Sequence, residues 1–489
     1  MNDGIFSKNC ITDFPAVTYP TQVSMITGTY TGDFRKEFCH GVPLMDWLDR
    51  DQNPPSLRSY AAKDMQIYKI NEDLGNNCKT ILEMVGEGNT TSITQFINRG
   101  TKYFYPERRT KLALFYLLLY YSQNTKKTMI RANSLVVQKL LETFKNPKKF
   151  FNNKEPPIGS LLWFVSSDIL LHLFGSDSWI YKLNLLHIDK VIGLLISELN
   201  KLGYLNDTVI AITSDHGNYK ADRLGNLQSF LNRNKLIQYH PRKKKRGNFD
   251  LAKYDGVGFF YFKGTNNSDK KYQWSHPNLV DLESYGPNKI NLLNQLFKIE
   301  ASQLMFYRGD NNTSQKGIIY LKKRCKDNNQ ILTSIIEYQG TGFDYKTRYV
   351  PNDGENDVFN YCNDTIACKL LDNKFHTTQE WLRATYHLDY PMHPDLIPRH
   401  FKNPRSADII LSNDGSIVYN IHHGKQTGKN ISNHDLGLRK CMAVPLIISG
   451  SLEIPQKEIL YCKITDIIPT LLKLIGKTPH HSVIGQSLI

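Results

Sequence analysis

The chain has 489 residues, and 61 Lys and Arg against 46 Asp and Glu give it a formal net charge of +15. Hydrophobic residues at 40% and aromatic residues at 11% exclude wholesale disorder, and the absence of a glycine period or a sustained heptad excludes collagen and coiled coil. The positive charge fits an anionic partner such as a phosphate, a nucleic acid or an acidic membrane surface, and by itself chooses none of them.

The first part of the chain predicts a short strand followed by helices. Residues 4–10 predict the strand, and an apolar, helix-like stretch follows and ends near Gly28. Residues 61–155 look mostly helical. They include the longest apolar run, residues 112–121, which is well short of the roughly 20 residues that span a bilayer, so no transmembrane segment is predicted.

A strand–helix–strand pattern is the clearest feature of the sequence. Residues 161–165 form an apolar run of the buried-strand type. Apolar residues then recur at steps of three and four from Leu185 to Leu202, which predicts an amphipathic helix capped by Gly203. Residues 209–212 predict a second buried strand. In open α/β sheets the functional site lies outside the carboxyl ends of such strands.

Residues 220–400 predict a large insertion, because polar loops separate its mixed segments. Its densest basic run, residues 242–246, is interpreted as a solvated loop rather than a nucleic-acid patch. The α/β pattern resumes with predicted strands at 407–411 and 444–448, and a last helix begins near Asp466.

Six residues of nucleophilic or metal-binding type stand out by their order and spacing. They are Thr18, Asp168, His172, Asp215, His216 and His434. Each has an ordinary alternative when it is taken alone. Thr18 could be a loop hydroxyl, Asp215 could cap a turn, and His434 competes with His422 and His423. Their occurrence together, next to predicted strand ends, favours one shared site.

Phosphoryl transfer is the chemistry that these residue types favour. Carboxylate plus imidazole is a ligand set that zinc and manganese both accept. Two such ions about 4 Å apart can hold the attacking and leaving oxygens of a phosphoryl transfer. A threonine hydroxyl bound to one ion would lose its proton readily and become a nucleophile. We therefore expect two divalent metal ions, with zinc as the first choice and manganese as the alternative.

Several segments resemble a known family. PAVTYPTQVSMITGTY is similar to the nucleophile segment of the type I phosphodiesterase/nucleotide pyrophosphatase group of the alkaline-phosphatase superfamily, which has phosphonoacetate-hydrolase-like relatives. HGVPLMDWLDR resembles the segment that follows it, and LLHIDKVIGLLISELNKLGYLNDTVIAITSDHG resembles the group's helix, strand and metal loop. YPMHPDLIPRHFKNPRSADIIL and TDIIPTLLKLIG resemble later landmarks of the group. The insertions are not covered by the resemblance.

The resemblance implies a role for each candidate residue. Thr18 would be the nucleophile, Asp168, His172 and His434 would hold one metal ion, and Asp215 and His216, with Thr18, would help to hold the other. The family's first strand ends in Asp-Gly and supplies a further ligand, which we expect upstream of Met1, with Asp3 a surface loop residue. Thr21 stands where the pyrophosphatases carry an Asn, which makes it the candidate substrate-binding residue. The Cys/Ser-x-Pro-x-Arg motif of sulfatases is missing at Thr18, so a sulfatase is disfavoured.

The implied fold is α/β, an alkaline-phosphatase-like three-layer sandwich with a mostly parallel central sheet. A single domain would span residues 1–489, with core segments at 1–50, 158–220 and 400–489. Two insertions would interrupt it, a helical cap at 60–155 and a second insertion at 220–400.

The predicted function is that of a metal-dependent phosphodiesterase or nucleotide pyrophosphatase-like hydrolase acting on a small phosphate ester. One alternative is an inactive or metal-poor remnant that acts as a binding protein, because the N-terminal metal-ligand strand is missing. Another is a phosphomonoesterase or phosphotransferase on the same core. No nucleic-acid partner is expected. The sequence shows no signal peptide, and export is expected if a segment precedes Met1. The natural substrate, compartment and oligomeric state are left open.

Overall fold

A computed structural model describes residues 4–60, 66–107, 125–226, 228–234, 236–240, 247–254, 256–264, 274–325, 329–352, 356–420, 432–450 and 454–489. The strands of this part of the chain are β1 Gly4–Ile11, β2 Asp46–Asp49, β3 Ser56–Ser59, β4 Asn89–Ile93, β5 Tyr103–Tyr105, β6 Pro157–Leu162, β7 Ile210–Thr213, β8 Tyr219–Lys220, β9 Arg223–Asn226, β10 Phe249–Tyr254, β11 Val257–Phe262, β12 Ser302–Arg308, β13 Lys316–Arg324, β14 Ile331–Gln339, β15 Lys346–Pro351, β16 His376–Thr377, β17 Ile409–Asn413, β18 Ile417–Asn420, β19 Ser432–Asn433, β20 Ala443–Ser449, β21 Lys457–Ile459 and β22 Cys462–Lys463.

The helices of the same residues are α1 Thr18–Thr27, α2 Ile70–Asp73, α3 Ile81–Met84, α4 Thr125–Lys145, α5 Pro147–Phe151, α6 Ser166–Phe174, α7 Trp179–Lys201, α8 Gln228–Arg233, α9 Leu279–Glu283, α10 Leu292–Leu296, α11 Thr378–Thr385, α12 His393–Lys402, α13 Arg439–Met442 and α14 Ile467–Leu474. Short 3-10 turns lie at Ile67–Lys69, Leu205–Asp207, Gly342–Asp344, Tyr361–Asn363, Ala367–Leu370 and Ile464–Asp466. Asp3, the apolar run 112–121, the basic run 242–246, His422 and His423 lie outside the described residues.

A mixed sheet follows the order β21-β1-β20-β7, and β22 also pairs with β1. β20 is antiparallel to both β1 and β7, whereas β21 and β22 are parallel to β1. Val444, Leu446 and Ile448 of β20 alternate as buried residues, so one face of this strand packs into the core. The expected mostly parallel sheet is therefore not confirmed among the described strands. Apolar periodicity identifies a strand, but it does not encode the direction of that strand's neighbour.

A second layer combines parallel strands with helices. β4 lies between β5 and β6 and is parallel to both. Ile93 of β4 packs with Val136 and Leu140 of α4 and with Val191 and Leu195 of α7. Residues 61–155 are therefore not as helical as the sequence suggests, because β4 and β5 lie among them. Both strands are short, and four of the five residues of β4 are polar, so the apolar pattern does not reveal them.

Residues 249–413 supply the strands of an antiparallel sheet with the order β10-β11-β17-β12-β13-β14-β15-β16 within the described chain. Its long hairpin pairs Lys316 with Gln339 and Arg324 with Ile331. β17, which we predicted at 407–411 as a return to the α/β core, lies between β11 and β12 in this sheet instead. An apolar strand fits equally well in the α/β core or in the antiparallel sheet, so the sequence pattern alone does not predict which sheet it joins.

The elements around the predicted site are largely those that the sequence indicates. β1, α1, α7, β7, β20 and α14 correspond to predicted elements, but β7, which we predicted as a buried strand, consists of half-buried and exposed residues. Gly28 ends α1 with a left-handed backbone conformation at φ 70°, which suits a glycine C-cap. The smaller pairs β2–β3 and β8–β19 are antiparallel, and β9–β18 is parallel. No helix among the described residues has the length and apolarity that a membrane crossing needs.

Candidate active site

Three element ends meet at one polar site. Thr18 is the first residue of α1, Asp168 lies in the first turn of α6 after β6, and Asp215 follows β7. The Thr18 hydroxyl lies 3.3 Å from Nε2 of His216. Thr18 is 8% exposed, so its hydroxyl lies at the edge of the protein interior rather than in open solvent.

Asp168 is surrounded by imidazoles. His172 is one helical turn further along α6, so it shares a helix face with Asp168. Its Nε2 lies 3.3 Å from Oδ1 of Asp168, and Nε2 of His434 lies 4.0 Å from the same oxygen. The His216 and His434 rings are stacked, with centroids 3.6 Å apart and an interplanar angle of 11°. The structure thus brings together the six residues that the sequence selected.

A backbone carbonyl orients each of the three imidazoles. Nδ1 of His172 lies 2.7 Å from the carbonyl oxygen of Ser432. Nδ1 of His434 lies 3.0 Å from that of Ala16, and Nδ1 of His216 lies 3.1 Å from that of Gly217. Because a carbonyl only accepts, each Nδ1 carries the proton, and each Nε2 is the ring atom available as a ligand.

The ligand atoms are close enough to share a cation. Those of Asp168, His216 and His434 all lie within 4.8 Å of one another, and this is the one such group of three among the described residues. Neutral imidazole nitrogens beside a carboxylate are donors that zinc and manganese accept, so the residues fit a divalent ion. This grouping crosses the two ligand sets implied by the family resemblance, because His216 lies beside His434.

The electrostatics of the site agree with metal binding. Burial, followed by repulsion from His216, lowers the pKa of His434 to about 3, and burial lowers the pKa of His216. Burial and the negative charge of Asp168 raise the pKa of Asp215 to about 6. Burial also opposes ionisation of Asp168, but its attraction to His172 and the other imidazoles keeps its pKa well below the usual range. The neutral imidazoles of His216 and His434, next to two carboxylates that repel each other, form a site that a divalent cation stabilises.

The hydroxyl of Thr21, the predicted substrate-binding residue, is engaged by backbone carbonyls of its own helix. It donates to the carbonyls of Val17 at 2.7 Å and Thr18 at 3.0 Å, and the residue is fully buried. A helical threonine has a backbone carbonyl within reach one turn earlier, so this hydroxyl is used within α1.

The sequence reasoning missed Gln22 and Gln95. Nε2 of Gln22 donates to Oδ2 of Asp215 at 2.8 Å, and Nε2 of Gln95 donates to Oε1 of Gln22 at 3.0 Å. The four-residue spacing from Thr18 could have revealed Gln22, because it places both side chains on one face of α1. No local signal indicates Gln95, since only the fold brings it to α1.

A comparison with protein families points to the same class of chemistry, phosphoryl transfer, as the geometry of the site. The sequence profile of the family described as type I phosphodiesterase/nucleotide pyrophosphatase matches residues 1–281, more than half of the chain. The chain belongs to this family. It is therefore a member of the alkaline phosphatase superfamily and of phosphoesterase type. No curated protein sequence matches the chain.

Solved structures share the fold at low sequence identity. Murine ectonucleotide pyrophosphatase/phosphodiesterase 5, in an inactive form with AMP, is 14% identical with a TM-score of 0.53, and the match covers 98% of this chain and 88% of that one. The human protein is 16% identical with the same TM-score and coverage. Alkaline phosphatase PafA is 14% identical with a TM-score of 0.59, covering 100% of this chain and 92% of that one. These matches support an alkaline-phosphatase-like α/β fold.

Proposed function

We propose that this protein is a metal-dependent phosphodiesterase or nucleotide pyrophosphatase with Thr18 as its nucleophile. One observation carries the proposal: the Thr18 hydroxyl lies 3.3 Å from Nε2 of His216, which belongs to the group of three residues that can hold a cation. Membership of the phosphodiesterase family supports the reaction class. AMP is the first nucleotide to test as a ligand, because the similar murine protein was solved with it.

Two divalent ions would be held by side chains of this site. If the ligand sets follow the family resemblance, Asp168, His172 and His434 would bind one ion, and Thr18, Asp215 and His216 would bind the other, with His216 and His434 side by side between the two ions. Zinc is our first choice because three of the donors are imidazoles, and manganese accepts the same set. When bound, the ions would supply positive charge that acidifies a hydroxyl and stabilises the phosphoryl oxygens.

The position of Thr18 suits nucleophilic attack. As the first residue of α1 it lies at the positive end of the helix dipole, which favours an anionic phosphoryl group nearby. Its hydroxyl oxygen would attack phosphorus and release the leaving alcohol or phosphate, with the hydroxyl proton passing to solvent. Water would then cleave the phosphothreonine and restore the hydroxyl.

Metal content and hydrolysis of bis(p-nitrophenyl) phosphate test the proposal together. We expect zinc- or manganese-loaded protein to hydrolyse the diester and Thr18→Ala to lose about 10³-fold or more in kcat. Thr18→Ser keeps a hydroxyl and should retain part of the rate. Turnover that survives Thr18→Ala would refute the nucleophile. A p-nitrophenyl phosphate rate above the diester rate would favour a phosphomonoesterase.

A metal-poor protein without turnover is the second candidate. One observation favours it. A second ion needs its own set of ligands, but among the described residues Asp215 belongs to no group of three His, Cys, Asp or Glu, and His216 belongs only to the group with Asp168 and His434. The metal stoichiometry separates the two candidates. Two ions per chain with turnover support the hydrolase, whereas one ion or none without turnover supports the binding protein.

A further inference from the structure

We propose that Gln22 and Gln95 form a positioning relay that fixes the orientation of the Asp215 carboxylate. The inference rests on the proposed function, in which Asp215 is a metal ligand. It assigns a role to two buried amides that the proposed chemistry itself does not use. Neither amide would touch the substrate, so both are positioning residues.

The direction of the relay is set by a backbone group. The amide N–H of Ile97 donates to Oε1 of Gln95 at 3.1 Å. Because a backbone N–H can only donate, it fixes the oxygen end of the Gln95 amide and turns Nε2 toward Gln22. Nε2 of Gln95 then donates to Oε1 of Gln22, so the Gln22 amide must point its own Nε2 at Asp215. The relay therefore delivers a donor, not an acceptor, to the carboxylate.

Burial makes this arrangement specific. Gln22 is 1% exposed and Gln95 is 5% exposed, so water does not readily replace either hydrogen bond. The backbone N–H of His216 donates to Oδ1 of Asp215 at 3.2 Å, while Gln22 donates to Oδ2 at 2.8 Å. Donors at both oxygens fix the plane of the carboxylate and leave its remaining lone pairs to face an ion.

The relay also links the ligand to the nucleophile. Thr18 and Gln22 are one turn apart on α1, so a single rigid helix places the hydroxyl and the donor to Asp215. Gln95 follows β4, and its backbone carbonyl accepts a hydrogen bond from the Ser92 hydroxyl at 2.8 Å. Second-layer hydrogen bonds of this kind typically change metal affinity or activity by about 10–100-fold when removed.

Two substitutions that leave the side-chain volume nearly unchanged test the relay. The measurement is a calorimetric titration of the metal-free protein with Zn²⁺. Gln22→Met removes the donor to Asp215, and we expect about 10–100-fold weaker binding. Gln95→Glu keeps the acceptor for Ile97 but cannot donate to Gln22, so a smaller loss is expected although it lies outside the metal site. Gln303→Met is the matched control, because this half-buried glutamine bonds Tyr390 elsewhere.

Crystal structures of metal-free wild type and Gln22→Met provide a second readout. We expect the Asp215 carboxylate to turn away from its position in the variant, with the backbone of α1 unchanged. Unchanged Zn²⁺ affinity together with an unmoved carboxylate would overturn the relay. If wild type binds no Zn²⁺, the proposed two-metal function fails, and the position of Asp215 in the two crystal structures still decides whether Gln22 orients it.

Discussion

His400 should make folding stability strongly dependent on pH. It lies in α12 with no exposed surface, and its ring contacts those of Phe14, Phe259 and Phe401. Neither ring nitrogen has a hydrogen-bond partner within the described part of the chain. Burial, together with the positive charge of Arg308, lowers the pKa of His400 to about 3. The folded protein therefore keeps this imidazole neutral.

The size of the effect follows from proton linkage. An unfolded histidine has a pKa of about 6.5, so the unfolded chain binds a proton below that pH while the folded chain does not. Because the folded pKa is the lower one, the contribution to stability is full above about pH 6.5 and is lost as the pH falls. Between pH 7.5 and pH 5.0 this single group should cost about 2 kcal/mol of unfolding free energy.

Urea unfolding of wild type and His400→Phe at pH 7.5 and pH 5.0 measures this cost directly. Phenylalanine suits the aromatic pocket and cannot take up a proton. We expect the fall in unfolding free energy between the two pH values to be about 2 kcal/mol smaller in the variant. His481→Phe is the control, because it also replaces an imidazole by a phenyl ring beside an aromatic neighbour, Phe38, but at an exposed position. An equal fall in wild type and His400→Phe would refute the argument.

Two further outcomes test the packing and the metal site. Asp395 accepts from Nε of Arg399 at 3.0 Å, and both side chains are buried, so Asp395→Asn leaves a buried guanidinium without its counter-ion. We expect a loss of about 3–5 kcal/mol in unfolding free energy by urea titration, and a loss below 1 kcal/mol would contradict the buried pair. Removing metal from loaded protein with EDTA should lower its Tm and abolish diester hydrolysis, and added Zn²⁺ should restore both, because a ligand bound only to the native state stabilises it. An unchanged Tm would argue against a metal site on the folded protein.

The residues of the candidate site could be predicted from the sequence because their positions relative to nearby strands and helices are recognisable in the sequence itself. Asp215 and His216 directly follow an apolar strand, and Asp168 and His172 are one helical turn apart. Such signals depend only on residues near in sequence. The structure brings these residues to Thr18 and His434, and their proposed roles as metal ligands await the metal titrations.

The pairing of strands that are far apart in the sequence could not be predicted in the same way. β17 shows the apolar pattern of a core strand, but its hydrogen bonds go to β11 and β12 in the antiparallel sheet. β20 is antiparallel to β1 although both look like strands of a parallel core. An apolar run indicates a strand, whereas the identity and direction of its neighbours depend on the path of the intervening chain.

The sequence by itself determined which residue types could carry phosphoryl chemistry and in what order they follow the strands and helices. Only the tertiary structure decided that three carbonyls, of Ala16, Gly217 and Ser432, hold the imidazoles by Nδ1. Only the fold, likewise, brings Gln95 to Gln22 and so to Asp215. Hydrogen bonds across such separations depend on how the whole chain packs, and this packing turns a set of suitable residues into an oriented site.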